Sequence, residues 1–287
     1  MAGTMNRRTF LKKSVYALTG IAAVPFTGYS YARFVEPGWL QINPVELALK
    51  RLPAAFDGMR IVQFSDVHLG FHYSVPHLAK LVTKIQSLQP DLICFTGDLY
   101  DSAINESGPV AQELSRLKAP FGKAAVLGNH DYLARKPEQI AGLLSGSGFT
   151  VLTNRSAPLE RGRSRIWISG VDDMWEGKPD LAKALQGVPA GDFHLLLSHC
   201  PDFADTALQH PVDLQLSGHS HGGQVRLPFY GHIIAARYAQ KYVNGLYSLG
   251  GGKLLVYTNR GIGVSVLPVR FWCRPEITVF TLRQGTS

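Results

Sequence analysis

The sequence predicts an α/β fold, a four-layer α/β/β/α sandwich. From residue 59 to about residue 220, short apolar runs alternate with stretches whose apolar residues recur at helical spacing. That is how strands and the helices covering them read along a chain. The last seventy or so residues change to strand-like runs divided by glycine, so the fold closes in β-structure. Four blocks each close an apolar run, at Asp66-Val67-His68, Gly97-Asp98, Gly128-Asn129-His130-Asp131 and Gly218-His219-Ser220-His221-Gly222, and a lone His199 follows Leu195-Leu196-Leu197. In open α/β sheets, ligands gather in the crevice past the carboxyl ends of the strands.

The elements follow in order. Residues 33–58 are proline-containing and read as a linker or a first edge strand, and the folded domain is expected over 59–287. Met59 to Ser65 reads as a strand ending at Asp66. Ser74 to Leu88 reads as a helix, with Val75, Leu78, Leu81, Val82, Ile85 and Leu88 on one face and Ser74 placed to cap it. Asp91 to Thr96 is a strand, Val110 to Leu117 a helix and Lys123 to Leu127 a strand. Pro137 to Leu144 is a helix and Thr150 to Leu152 a short strand. Arg165 to Gly170 is a strand followed by an acidic loop at Asp172-Asp173. Pro179 to Leu185 is helical, Phe193 to Leu197 a strand, Asp202 to Leu208 helical and Val212 to Leu216 a strand. Gly222 to Leu227, Gly245 to Leu249, Lys253 to Thr258 and Ile277 to Leu282 complete the β-rich end. No internal repeat or low-complexity tract interrupts this order.

The chain has 287 residues, 45% of them hydrophobic and 17% charged. This is ample for one large core and excludes a disordered, highly charged protein. The net charge is +8, and Arg7, Arg8, Lys12 and Lys13 contribute +4 of it within residues 1–32, which hold no acid. The remaining +4 is too diffuse for a nucleic-acid binder and suits anionic substrates or an anionic membrane surface. Cys94, Cys200 and Cys273 form no C-x-x-C pair, which argues against a thiolate metal site or a redox motif. All three read as packing residues, with Cys200 alternatively at the mouth of the site.

Residues 1–32 read as an export signal or N-terminal anchor. Asn6-Arg7-Arg8-Thr9-Phe10-Leu11-Lys12-Lys13 precedes an apolar stretch from Val15 to Phe26 and small residues near Ser30-Tyr31-Ala32. The Arg-Arg-x-Phe-Leu-Lys pattern resembles the twin-arginine (Tat) signal of bacteria. It implies contact with the Tat export machinery and a location in the periplasm or at the outer face of the cytoplasmic membrane. The apolar stretch is short for a spanning helix, which needs about 20 residues.

The blocks D-x-H, G-D, G-N-H-D, H and G-H-x-H occur in that order from Asp66 to His221. Together they resemble the calcineurin-like metallophosphoesterase superfamily, whose fold is this four-layer sandwich. The resemblance implies two divalent metal ions. Asp66, His68 and His221 would bind the first, Asn129, His199 and His219 the second, and Asp98 would bridge them. These ligand types suit manganese, iron or zinc. Paired ions sharing a hydroxide attack a phosphate ester in line with phosphorus. His130 is the histidine left for chemistry: the family pattern has it contact the phosphate and protonate the leaving oxygen. Asp131 is grouped with it, orienting His130 or a ligand.

Gly97-Asp98-Leu99-Tyr100-Asp101-Ser102 departs from the G-D-x-x-D-R-G of protein Ser/Thr phosphatases, which disfavours that branch. The modest charge disfavours the nuclease branch. The tail, His221 to Pro228, Gly261 to Phe271 and Arg274 to Thr278, is similar to bacterial membrane-associated phosphodiesterases related to UDP-2,3-diacylglucosamine pyrophosphatases of lipid A synthesis. Arg226, Arg260 and Arg270 are candidate phosphate clamps. Phe229 to Ala236 reads as a lipid-facing lip or as a core connector. The expected function is a phosphodiesterase or pyrophosphatase acting on an envelope or lipid-linked phosphate ester. Lipid A precursor hydrolysis stands beside it, although that reaction is cytoplasmic and sits awkwardly with export. A non-catalytic envelope-binding module with a structural metal site is the reading from another class.

Overall fold

The computed structural model describes residues 6–134 and 136–285, except the side chains of residues 14, 15 and 17–24. The first five residues of the expected signal and most side chains of its apolar stretch lie outside this description, as do the last two residues of the expected domain.

The alternating runs become, in chain order, α1 (Arg7–Ser30), β1 (Gln41–Leu49), β2 (Arg60–Phe64), α2 (Val75–Ser87), β3 (Leu92–Phe95), α3 (Ser107–Ser115), β4 (Lys123–Ala125), α4 (Asn129–Leu133), α5 (Pro137–Gly146) and β5 (Phe149–Val151). There follow β6 (Arg155–Arg161), β7 (Ser164–Gly170), α6 (Leu181–Ala184), β8 (His194–Leu197), α7 (Ala204–Ala207) and β9 (Leu214–Ser217). Then come β10 (Arg226–Leu227), β11 (Gly231–His232), β12 (Gly245–Leu249), β13 (Leu254–Thr258) and β14 (Glu276–Gln284). Two six-stranded sheets form, in the orders β1-β14-β2-β3-β4-β5 and β12-β13-β9-β8-β7-β6. The strands that lead into the blocks, β2, β3 and β4 in one sheet and β8 and β9 in the other, run parallel within each sheet.

Successive residues of a strand point to opposite faces, and both faces here are buried. Ile61, Leu92, Cys94 and Ala124 face the second sheet, where Ile166, Leu195, Leu197, Leu214 and Leu216 meet them. Val62, Phe64, Ile93 and Phe95 face outward onto Leu78, Leu81, Val82 and Ile85 of α2, Val110 and Leu114 of α3, and Ile140 and Leu144 of α5. The outer face of the second sheet packs Leu196 and Val256 under α6 and α7. This produces the expected four layers and explains why the strands read as continuous apolar runs, as strands covered on both faces do.

The structure departs from the sequence reading in three places. β6 carries no apolar alternation because it is an exposed edge strand, antiparallel to β7, where Pro158 is tolerated. The expected strand from Gly222 to Leu227 shortens to Arg226–Leu227. His221, Gly222, Gly223 and Gln224 all have positive φ, a run no strand can contain. The helix expected over Asp202 to Leu208 is a 3₁₀ turn, Pro201–Phe203, leading into α7.

After α1, residues 31–38 form a stalk tied to the tail. Arg270 N donates to Ala32 O at 2.9 Å, and the buried Glu36 carboxylate accepts from the amides of Trp272 and Cys273. The chain then enters β1, which pairs in parallel with β14 at the sheet edge. No helix among the described residues is long and apolar enough to cross a membrane.

Candidate metal centre

Each block lies just past a strand end. Asp66 and His68 follow β2, Asp98 follows β3, Asn129 and His130 open α4 after β4, His199 follows β8, and His219 and His221 follow β9. The two sheets therefore contribute opposite walls of one cleft. Asp66, His68, Asp98, His219 and His221 all take left-handed φ between 49° and 68°. Such conformations cost of order 1–3 kcal/mol each for residues other than glycine and persist where surrounding contacts over-determine them. The left-handed turn lets consecutive loop residues aim their side chains at a common point. Gly128 must be glycine for a related reason: a Cβ there would overlap the Asp98 carboxylate and the His199 ring.

Two groups of side chains converge. In the first, ligand atoms of Asp66, His68 and His221 lie within 4.8 Å of one another; in the second, those of Asp98, His199 and His219 do. His68 Nε2 is 3.0 Å from His221 Nε2, and His221 Nε2 is 3.6 Å from Asp66 Oδ1. Asp98 Oδ2 is 3.2 Å from His199 Nε2 and 3.6 Å from His68 Nε2, so one carboxylate oxygen stands between the groups. Asn129 Oδ1 is 3.1 Å from His199 Nε2. His130 borders both His68 and Asp98.

The residues fit divalent cations. Their ligand atoms converge, and the far nitrogens of three rings are held by acceptors, while that of His221 faces the Arg270 guanidinium at 3.4 Å. His199 Nδ1 lies 2.7 Å from Thr96 O, His219 Nε2 2.7 Å from Arg237 O, and His68 Nδ1 3.1 Å from the Asp101 carboxylate. A proton on those nitrogens leaves the inward nitrogen with a free lone pair, the tautomer a metal needs. Burial pushes His219 down to about 3, helped by the neighbouring His199, and pushes His221 well below its ordinary value. Both are therefore neutral, the form that ligates. Burial also raises the Asp66 carboxyl, with Asp98 adding to the rise. Two carboxylates buried this close are at ease beside cations.

The remaining expected residues fall in different places. Asp131 is fully buried, and its carboxylate accepts from the amides of Asp98 (3.0 Å), Leu99 (2.9 Å) and Gly128 (3.0 Å). It clasps two ligand loops together and does not touch the His130 ring; Asp101 O, 2.8 Å from His130 Nδ1, orients that ring instead. Burial, with Asp98 next to it, pushes the Asp131 carboxyl up to about 7. The three arginines do not converge as open clamps. Arg270 is fully buried and donates to the carbonyls of Gly263, Cys273 and Arg260. Arg260 pairs with Glu276 and Gln41, and Arg226 donates to Gly222 O. Cys200 lies at no mouth: it is buried, as are Cys94 and Cys273, and all three are free thiols. His72 and His77 line a groove on the flank of the first sheet, and His194 is a buried strand residue bonded to Ser169.

Four contributors had no role assigned from the sequence. Asp101 orients both His68 and His130, and its place three residues after Asp98 was the available signal. Trp175 stands edge-on to His219 at 5.8 Å between ring centres, with the Arg237 guanidinium 5.9 Å from its ring. These two wall the second group, and no motif marks either. Buried Asp173 caps the Trp175 loop by accepting from the amides of Trp175 and Glu176.

Residues 59–223 match the calcineurin-like phosphoesterase family. The chain belongs to this family. It is similar to the uncharacterized metallophosphoesterase YkuE of Bacillus subtilis (strain 168), 41% identical over 97% of this chain and 98% of that protein. It is 31% identical to the phosphodiesterase YaeI of Escherichia coli (strain K12), over 97% of this chain and 99% of the relative. It is 29% identical to the UDP-2,3-diacylglucosamine pyrophosphatase LpxG of Chlamydia muridarum (strain MoPn / Nigg), over 93% and 96%. The phosphoesterase is thus a hydrolase, with clustered histidines and aspartates able to bind metal.

Proposed function

We propose that this phosphoesterase cleaves a phosphodiester or pyrophosphate of the cell envelope, most simply one linked to a lipid, after export through the Tat pathway. The observation carrying the reading is the pair of ligand groups that meet at Asp98 with His130 beside them. Asp66, His68 and His221 would hold one divalent ion, Asn129, His199 and His219 the other, with Asp98 common to both. Manganese, iron or zinc suits this oxygen and imidazole set, which contains no thiolate. When bound, such a pair supplies Lewis acidity and makes water acidic enough to react near neutral pH.

The chain's own groups do the rest. A water oxygen forms a bond to phosphorus while the bond from phosphorus to the leaving oxygen breaks. His130 Nε2, whose ring is oriented through Nδ1 at Asp101 O, delivers the proton that the leaving oxygen needs. Asp131 keeps the Asp98 and Gly128 loops at fixed separation, so that the bridging carboxylate and His130 stay in register. Similarity to LpxG supports a second reading, a nucleoside-diphosphate lipid as substrate.

Metal analysis of the purified chain should give two ions, and the manganese-loaded protein should hydrolyse bis-p-nitrophenyl phosphate. A chain that binds two ions yet cleaves no diester overturns the enzyme reading. A screen of lipid-linked pyrophosphates, glycerophosphodiesters and teichoic-acid-like polymers then ranks substrates. Replacing Arg7-Arg8 with Lys-Lys should retain the protein in the cytoplasm; unchanged fractionation overturns Tat export.

A further inference from the structure

A groove of about 500 Å³ runs along the outer flank of the first sheet, bounded by α2, the stalk and the loop at residues 262–268. Its size is that of a small-molecule site. Its floor is apolar, built from Phe34, Leu40, Phe71, Tyr73, Leu81 and Ile262, and its rim carries Arg33, Lys80 and Lys84 with no carboxylate in the lining. Lys80 and Lys84 stand one turn apart on α2, an arrangement of like charges that destabilises a helix. Neither has a carboxylate partner among the described residues. The wall is preformed because Glu36 ties the stalk to Trp272 and Cys273. One end abuts the metal loops, where Phe71 N donates to His68 O at 3.1 Å and Gly263 N to Asp66 O at 2.7 Å.

The lining selects the occupant. A peptide laid on this floor would find no carboxylate in the lining to accept from its amides. A soluble anion would use the rim and ignore the floor. The groove also opens beside exposed Phe34, and Val35 and Trp39 of the stalk segment and Val266, Leu267 and Trp272 of the tail loops are exposed as well, apolar side chains of the kind that meet membranes. We propose that the groove holds one acyl chain of an anionic membrane lipid, with the headgroup at Arg33, Lys80 and Lys84. No step of the hydrolysis uses these residues, so this lipid site and the enzyme reading stand or fall separately.

Gly38 provides a clean block. It lines the groove, and a Cβ built on it meets nothing within 4 Å, so Gly38→Trp sets a bulky ring at the groove wall without a clash. The full chain is titrated with palmitoyl-lysophosphatidylglycerol below its micellar concentration. Saturable binding is expected, weakened at least about tenfold by Gly38→Trp and by Lys80→Glu/Lys84→Glu, while thermal unfolding and bis-p-nitrophenyl phosphate hydrolysis stay unchanged. Lysophosphatidylcholine should bind about tenfold more weakly, and glycerol phosphate should not compete. Equal binding by Gly38→Trp overturns the site, and competition by glycerol phosphate reduces it to a phosphate site and also overturns it. Competitive inhibition of diester hydrolysis by the lysolipid would place the chain in the metal cleft instead. A dimer that the lysolipid dissociates would assign the groove to a second copy of this protein. Either result overturns the proposal.

Discussion

The metal centre and the tail loops depart from ordinary protein surfaces in opposite directions. The centre buries charge: Asp66, His68, Asp98 and His199 are at most 1% exposed, in left-handed or tightly walled loops. The loop from Leu227 to Ile234 exposes grease: Phe229 is fully open to solvent, and Tyr230 and Ile234 are each 76% exposed. Buried charge and exposed aromatic surface are both unfavourable for an isolated chain. Cations would relieve the first and an apolar partner the second, so the two regions call for different kinds of ligand. The exposure also overturns one reading of Phe229 to Ala236: the segment is no core connector.

The centre is most sensitive at Asp98. Because one of its oxygens stands between both ligand groups, Asp98→Asn should lower kcat for a diester by more than about 10³-fold, beyond the effect of removing one transition-state hydrogen-bond donor. It should also reduce bound metal below two ions, measured by elemental analysis. His130→Ala should keep both ions and still lose about 10²–10⁴-fold with an alkyl leaving group, the range for a lost general acid. The loss should shrink with p-nitrophenolate, which leaves without a proton; equal losses for both leaving groups would remove His130 from that role. Asp101→Asn weakens the hold on His68 and should cost about 10–100-fold in metal affinity or activity, as removal of a ligand's outer partner does.

A buried histidine outside the centre sharpens the contrast between burial for function and burial for packing. Burial holds His194 down to about 4 from its ordinary 6.5, with Arg51 adding to it. The unfolded chain therefore takes up a proton that the folded one refuses as pH falls from 6.5 to 4. Stability is full above 6.5 and declines through that window, by at most about 3 kcal/mol. His194→Gln should flatten the decline by close to one proton in denaturant titrations and leave metal content unchanged. The smallest effect is expected in the exposed loop. Phe229→Ser with Tyr230→Ser should change stability by no more than about 0.5 kcal/mol and leave soluble-diester turnover intact, while binding to vesicles containing phosphatidylglycerol falls. Lost turnover would show that the loop belongs to the catalytic site.

Much of the centre was legible because the strands are. An apolar run followed by Asp, Asn or His marks a strand end, and strands parallel within their own sheets place their ends along one edge. Asp101 and the carbonyls of Thr96 and Arg237 were not legible, since they act through loop conformations that no residue type announces. Arg270 misled for the converse reason: an arginine near a motif reads as a phosphate clamp until its donors are seen on Gly263, Cys273 and Arg260. Asp131 likewise sits within the motif but serves the backbone.

By itself the sequence determined the family, the layered fold and the order of the ligand blocks, because periodicity and short motifs are local properties of the chain. Tertiary structure alone decided which ring nitrogen faces inward, that Asp131 ties the Asp98 and Gly128 loops together, and that a basic-rimmed apolar groove lies behind them. Those depend on separate backbone paths meeting within hydrogen-bond distance, and contacts between residues as far apart as His68 and His221 carry no local signal.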